Sequence, residues 1–152
     1  MVTEWSPELT LNHDELDPEH VNVFRLLDEV TRAADAAPNE LRRRMTEFAD
    51  ALVAHLRHEE QVMEETCYPD RARHRTSHDL LVSDVLLLQA ELEAQGPTPR
   101  VVEAVKTRVP EWLRFHTRVN DGPLGEHLAR HGPNPTPEDD PTRRPEGARR
   151  RS

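Results

Sequence analysis

The sequence predicts an all-α protein, an antiparallel up-down-up-down four-helix bundle with a non-helical N-terminal arm and a disordered C-terminal tail. Three observations support this prediction. Apolar residues recur at steps of three and four along four segments, and prolines and glycines fall between these segments. No segment alternates at period two for long enough to form a strand. Because the connections are short, neighbouring helices are expected to run antiparallel.

The first two helices are each marked by a boundary signal and an apolar seam. The first is predicted to begin at Asp17-Pro18, an N-cap residue followed by a proline at the first helical position, and to end near Pro38. The second runs from Glu40 to about Thr66. Their seam positions are His20, Val23, Leu27 and Val30, and then Leu41, Met45, Phe48, Leu52, His55, Glu59 and Val62. Polar residues therefore occupy positions where apolar ones are expected.

The third and fourth helices show the same pattern. The third begins after Pro69-Asp70 and ends at Gly96-Pro97. The fourth begins at Thr98-Pro99 and is predicted to end at Gly122-Pro123, with a kink or break at Pro110. Their seams are His74, His78, Leu81, Val85, Leu88 and Leu92, and then Val102, Val105, Val109, Trp112, Leu113, His116 and Val119.

Composition divides the chain into one domain, residues 1–132, and a tail, residues 133–152. The tail contains five of the thirteen prolines and no large apolar residue, so it cannot offset the entropy lost on ordering. Residues 1–16 are expected to form a non-helical arm that packs on the bundle, with Trp5 covering its edge.

Charge and cysteine content exclude several classes of protein. Lys+Arg 20 against Asp+Glu 29 gives a net charge of −9, which disfavours binding to nucleic acid or an anionic membrane surface. No apolar stretch is long enough to span a membrane and no signal-peptide pattern opens the chain, so a cytoplasmic location is expected. A lone Cys67 cannot form an internal disulfide or a thiolate site, and any metal must be bound by nitrogen and oxygen.

The polar seam residues predict a metal site. Residues at i and i+4 lie on one helix face, so His55 with Glu59, and His74 with His78, each direct two ligands to one point. The five-residue step from His116 to Asp121 places the pair roughly 140° apart on an ideal helix, unless the helix ends there. Antiparallel helices would gather all the donors toward one end of the bundle. The candidate ligands are His20, His55, Glu59, His74, His78, His116 and Asp121.

Imidazole and carboxylate without thiolate suit iron, manganese or zinc. If Glu59 and Asp121 each bridge two metals and one solvent oxygen also bridges, five histidines divide as three and two. A metal that prefers six ligands is then saturated at one position, and its neighbour has one vacancy. A vacancy beside a second redox metal is what reversible dioxygen binding requires.

The order of these residues resembles the hemerythrin family, bacterial hemerythrins in particular, over about residues 5–128. The matching motifs are Asp17-x-x-His20, His55-x-x-x-Glu59-Glu60-x-x-Met63, Tyr68-Pro69 before His74-x-x-x-His78, and Trp112-Leu113-x-x-His116-x-x-x-x-Asp121. The resemblance implies two iron ions per chain, oxo- or hydroxo-bridged, with dioxygen as ligand. It also implies the ligand sets: His74, His78 and His116 for one iron, His20 and His55 for the other, and Glu59 and Asp121 as bridges.

Some positions depart from the family pattern. Leu56 replaces the usual aromatic residue after the second-helix histidine, and Arg114 and Thr117 replace the usual apolar residues around His116. The expected oxygen pocket comprises Val23, Leu56, Leu113 and Arg114. A cation in this pocket would admit water or anions and speed the loss of bound oxygen, whereas an Arg114 that points to solvent would have no such effect.

The expected function is reversible dioxygen binding, as a carrier, store or local supplier, rather than catalysis. One alternative is a di-iron enzyme that acts on peroxide or nitric oxide or oxidises iron, and a second is an oxygen or iron sensor. A structural bundle with zinc or no metal is a third. The chain has no Glu-x-x-His pair, which disfavours a ferritin-like oxidase. Dioxygen is the expected partner, with no nucleic acid and no membrane.

Overall fold

Four helices make up most of the computed structural model, which describes residues 5–131. The first three are α1 (Leu16–Ala33), α2 (Pro38–Glu65) and α3 (Arg71–Gln95), and α4 is the continuous helical run 99–131. Helix α1 packs against α2, α2 against α3, α3 against α4, and α4 closes back on α1. This arrangement confirms the predicted all-α bundle. The predicted tail, residues 133–152, lies outside the described residues.

The N-terminal arm is tied to the first turn of α1, and it contains one 3-10 turn, Pro7–Leu9. Asp17 lies inside the helix, so its predicted role as N-cap is wrong. Its carboxylate accepts hydrogen bonds from the backbone N–H groups of Leu11 and His13, at 2.7 and 3.2 Å. The backbone N–H of Leu16 donates to His13 Nδ1 at 3.1 Å. A histidine side chain therefore takes over the capping of α1.

Helix α4 corrects the prediction that Gly122-Pro123 ends the fourth helix. The run comprises Pro99–Glu103, a π segment Ala104–Arg108, then Val109–His116, a second π segment Thr117–Asp121, and Gly122–His131. Pro110 and Pro123 each lie two residues after a π segment, and neither breaks the helix. A proline lacks an N–H and its ring clashes with the carbonyl four residues earlier, so a locally wider turn accommodates it.

The main core is built from all four helices, and Trp5 and Leu9 of the arm pack against it. A second apolar cluster joins the arm, the end of α2 and the last segment of α4, and consists of Leu11, Leu16, Val62, Met63, Tyr68, Leu124 and Leu128. Along α4 the predicted seam is only partly correct. Val101 and Ala104 are fully buried, whereas Val102 is half-buried and Val119 is 48% exposed. The π segments shift the helical register that the seam prediction assumed.

Among the helices within residues 5–131, none combines the length and the apolar character needed to cross a membrane.

Two glycines of α4 give a matched test of the packing between the arm and α4. A Cβ at Gly125 would lie 3.2 Å from Leu11 Cα, whereas a Cβ at Gly122 would meet nothing within 4 Å. Gly122→Ala should raise the free energy of unfolding by about 0.5–1 kcal/mol, because alanine loses less backbone entropy. Gly125→Ala should lower it by about 1 kcal/mol through overpacking. Urea denaturation measures both values, and equal stabilisation by the two variants would contradict this packing.

Candidate metal centre

Seven polar side chains are buried together in the bundle interior, and they are the seven that the sequence singles out. They are His20, His55, Glu59, His74, His78, His116 and Asp121, none of them more than 4% exposed. Their ligand atoms form two groups, each with its atoms within 4.8 Å of one another. The larger group is Glu59, His74, His78, His116 and Asp121, and the smaller is His20, His55 and Glu59. Glu59 belongs to both groups.

Helix geometry explains the convergence of the first two pairs. His55 and Glu59 lie one turn apart on α2, and His55 Nε2 is 3.2 Å from Glu59 Oε2. His74 and His78 lie one turn apart on α3, with ring centroids 4.6 Å apart. Side chains at i and i+4 share one helix face. The antiparallel packing of α2 and α3 then brings the two faces together.

The π segment Thr117–Asp121 explains how His116 and Asp121 share one site. Its wider turn is closed by a hydrogen bond from the Gly122 backbone N–H to the Thr117 carbonyl, five residues apart. A turn of this kind returns a residue at i+5 to the side of residue i, which an α-helix does only at i+4. His116 Nε2 accordingly lies 3.0 Å from Asp121 Oδ1. The convergence arises from this widened turn and not from a helix end.

In each of the two carboxylates, Glu59 and Asp121, the two oxygens face different histidines. Glu59 Oε1 lies 3.0 Å from His74 Nε2, and Glu59 Oε2 lies 3.2 Å from His55 Nε2. Asp121 Oδ1 lies 3.0 Å from His74 Nε2, and Asp121 Oδ2 lies 3.2 Å from His20 Nε2. In both residues one oxygen faces the histidines of α3 and α4, and the other faces those of α1 and α2. Such a division suits a carboxylate that bridges two cations.

The site also contains buried ligand atoms that could coordinate a metal. Nε2 of all five histidines, both oxygens of Glu59 and both oxygens of Asp121 are buried and make no hydrogen bond. Buried polar atoms without partners are costly, and a native core rarely leaves so many in one place. Imidazole nitrogens and carboxylate oxygens are ligands for iron, manganese and zinc. The residues present therefore fit a metal-binding role.

Electrostatics in the metal-free cluster follow from the two buried carboxylates. Burial lowers the pKa of His74, but the negative charges of Asp121 and Glu59 outweigh burial and raise that pKa to about 9. Burial lowers the pKa of His78 to about 3, although the negative charge of Glu59 acts in the opposite direction. Burial acts to raise the pKa of Asp121, yet the adjacent His116 holds it well below its usual value. Without a metal, a proton on His74 thus balances part of the carboxylate charge.

Side chains outside the cluster contact Nδ1 of three of the five imidazoles. Glu19 lies 3.0 Å from His55 Nδ1, and Glu60 lies 3.0 Å from His78 Nδ1. The Asn120 amide and the Ser77 hydroxyl lie 3.3 and 3.5 Å from His116 Nδ1.

From the sequence, Glu60 is visible only as part of the motif that starts at His55, and the roles of Glu19, Ser77 and Asn120 were missed. Glu19 directly precedes a candidate ligand and reaches a different helix, so helical periodicity carries no signal for its role.

The remaining four histidines, His13, His58, His127 and His131, lie outside the two groups. His13 caps α1, and His58 lies between Glu15 and Glu19. His127 Nε2 donates to the Thr66 carbonyl at 2.8 Å, and its ring lies 4.5 Å from that of His131. These side chains stabilise helix ends and packing around the site.

The residues of the predicted oxygen pocket lie on different sides of the cluster. Val23, Leu56 and Leu113 are buried. Val23 and His55 line a surface cavity of about 240 Å³ between α1 and α2, whereas Leu56 and His78 line one of about 570 Å³ between α2 and α3. Arg114 is partly exposed and stands two residues before His116, roughly 200° around an α-helix.

A four-helix bundle with five imidazoles and two carboxylates in its interior defines a non-haem, metal-binding helical protein. The chain belongs to the hemerythrin family, because the family model described as the hemerythrin HHE cation binding domain matches residues 11–128. The resemblance indicated by the sequence motifs is thereby confirmed. The family and the buried His/Glu/Asp cluster together point to a non-haem di-iron site.

Similar proteins carry related names. The chain is 24% identical over 131 residues to the bacteriohemerythrin of Stenotrophomonas maltophilia (strain R551-3), covering 84% of this chain and 82% of that relative. Hemerythrin-like proteins of Naegleria gruberi and Naegleria fowleri are each 24% identical over 119 residues, which is 77% of this chain and 86% of theirs.

His74→Ala tests the role of the nitrogen that lies closest to both carboxylates. We expect the variant to retain less iron and to lose most of the rise in thermal midpoint that iron produces, because metal binding and folding are coupled. Each tenfold loss of affinity removes about 1.4 kcal/mol of stabilisation at saturating metal. Metal analysis and thermal unfolding measure these effects, with His131→Ala as the matched control. Unchanged iron content in His74→Ala would refute the assignment.

Proton release provides a second test of the site. Since the raised pKa of His74, about 9, leaves it protonated at pH 7, a metal must displace this proton. Adding zinc to the metal-free protein in weakly buffered solution at pH 7 should release at least about one proton per chain, and metal affinity should fall as pH drops below 9. A sample already saturated with zinc is the control. Binding without acidification would contradict the protonated state of His74.

Proposed function

We propose that this protein binds dioxygen reversibly at a pair of iron ions, as a carrier, store or local supplier of oxygen. The observation that carries the proposal is the division of the Glu59 and Asp121 oxygens between two sets of histidines. A single cation would call for one convergent set of donors, whereas two carboxylates that each face both ways suit two cations side by side. The similarity to a relative named bacteriohemerythrin supports the same conclusion.

The proposed ligand sets follow the two groups of side chains. His74, His78 and His116 would hold one iron, and His20 and His55 would hold the other. Glu59 and Asp121 would bridge them, together with an oxo or hydroxo group. With this assignment one iron would be held by one histidine fewer than the other, and that iron would keep one coordination position open. When bound, the two irons supply one electron each and one open coordination position, which is the chemistry that reversible dioxygen binding needs.

The protein's own contribution is to hold the donors in place and to exclude water. Val23 and Leu56 are each 2% exposed, and they share the linings of two surface cavities with His55 and His78, respectively. A dry surrounding disfavours the escape of charged oxygen species into solvent. The two surface cavities reach His55 and His78, so a diatomic molecule has only a short distance to travel to the interior. Exclusion of water together with close access favours binding of a small ligand over chemistry on a larger substrate.

An optical titration with metal analysis on the same sample tests this function. Iron-loaded protein should contain about two irons per chain and develop a visible absorption band in air. The band should disappear under argon and return on re-exposure over repeated cycles. The zinc-loaded protein is the matched control and should remain colourless, because zinc cannot supply electrons. Rapid one-way oxidation with peroxide release, or absence of a band, would refute reversible binding and favour an enzyme or a sensor.

A further inference from the structure

Glu19 is a carboxylate outside the cluster that contacts one of the candidate histidine ligands. It directly precedes His20 on α1, yet its side chain crosses to α2, with Oε1 3.0 Å from His55 Nδ1. Its second oxygen, Oε2, lies 2.6 Å from His58 Nδ1. Because His55 Nε2 faces Glu59 on the opposite side of the ring, Glu19 contacts the imidazole from behind the site.

The five candidate histidine ligands differ in whether a carboxylate contacts their Nδ1 atom. Glu19 supports His55, and Glu60 supports His78 at 3.0 Å. His116 has only the uncharged Ser77 and Asn120 at its Nδ1. Within the described part of the chain, Nδ1 of His20 and Nδ1 of His74 are buried without a hydrogen bond. In each of the two histidine sets, one imidazole therefore has a carboxylate at its Nδ1 atom.

The two supporting carboxylates are held in unequal surroundings. Glu60 Oε2 lies 3.7 Å from Arg75 Nε, so the positive charge of the guanidinium partly neutralises the Glu60 carboxylate. Glu19 instead shares its second oxygen with His58, whose Nε2 lies 3.1 Å from Glu15. The chain of contacts from Glu15 through His58 and Glu19 to His55 links α1 to α2 and holds both oxygens of Glu19. A carboxylate held in this way fixes both the tautomer and the ring orientation of the imidazole.

We propose that Glu19 is a positioning residue for the metal ion held by His20 and His55, acting through His55. Its hydrogen bond directs the His55 Nε2 lone pair into the site, and its negative charge makes that nitrogen a stronger donor. The inference rests on the proposed function, because the ion held by two histidines is the one with the open coordination position. Glu19 thereby selectively strengthens binding of the ion that meets dioxygen.

Anaerobic iron(II) titration of the full-length protein against a competing chelator tests this role. Glu19→Gln keeps the size of the side chain and an acceptor oxygen but removes the charge. We expect one of the two ions to bind about 10–100-fold more weakly and the other to keep its wild-type affinity. The thermal midpoint of the metal-free variant should match that of the wild type. Glu93→Gln removes the same charge at an exposed position of α3 far along the helix from His74 and His78, and it should leave both affinities unchanged.

A double-mutant cycle identifies the weakened ion. In a His55→Ala background Glu19→Gln should weaken neither ion further, because Glu19 acts through His55, whereas in a His78→Ala background it should still weaken one ion. A further loss of affinity in the His55→Ala background would overturn the inference. Unchanged affinities in Glu19→Gln would overturn the inference. Equal weakening of both ions, with a lower midpoint of the metal-free protein, would overturn it too, because Glu19 would then be merely structural. Wild-type protein that binds fewer than two irons would instead refute the proposed function.

Discussion

The structure depends on the burial of two carboxylates and five imidazoles inside a helical core. A buried charge without a partner costs several kcal/mol, and here the nine ligand atoms, five Nε2 nitrogens and four carboxylate oxygens, lie together without a hydrogen bond. In the metal-free state a proton on His74 offsets part of the carboxylate charge, but one proton cannot satisfy the nitrogen and oxygen atoms of the whole cluster. Cations bound between the two sets of histidines would coordinate all of these ligand atoms. The apolar core stabilises the bundle, and the polar cluster couples the stability of the fold to metal binding.

Helix α4 shows how backbone irregularity serves this cluster. Its two π segments each precede a proline by two residues, so the same wide turn that accommodates a missing N–H also changes the direction of nearby side chains. In the second segment this change brings Asp121 beside His116. A regular α-helix would place the carboxylate roughly 140° away, in contact with another surface of the bundle. The irregularity is therefore part of the site.

The end of the bundle near the cluster is covered by segments that contribute no candidate ligand. The arm packs on the last segment of α4 where Gly125 leaves room for Leu11, and His127 of that segment donates to the Thr66 carbonyl at the end of α2. Asp17 holds the arm through the backbone of Leu11 and His13. These contacts join the two chain ends of the described bundle to each other and to the end of α2.

The sequence by itself determined the helices and the set of polar residues that converge. Turn signals such as Pro69-Asp70 and Gly96-Pro97 mark helix ends through local backbone chemistry, and the spacing of His55 with Glu59 and of His74 with His78 depends only on helical geometry. Features that depend on contacts between distant segments were decided by the tertiary structure alone. These are the continuation of α4 past Gly122, the exposure of Val119, the division of the carboxylate oxygens between two histidine sets, and the support of His55 by Glu19. Periodicity reports which face of a helix a residue occupies, but it does not report which atoms of a neighbouring helix that residue meets.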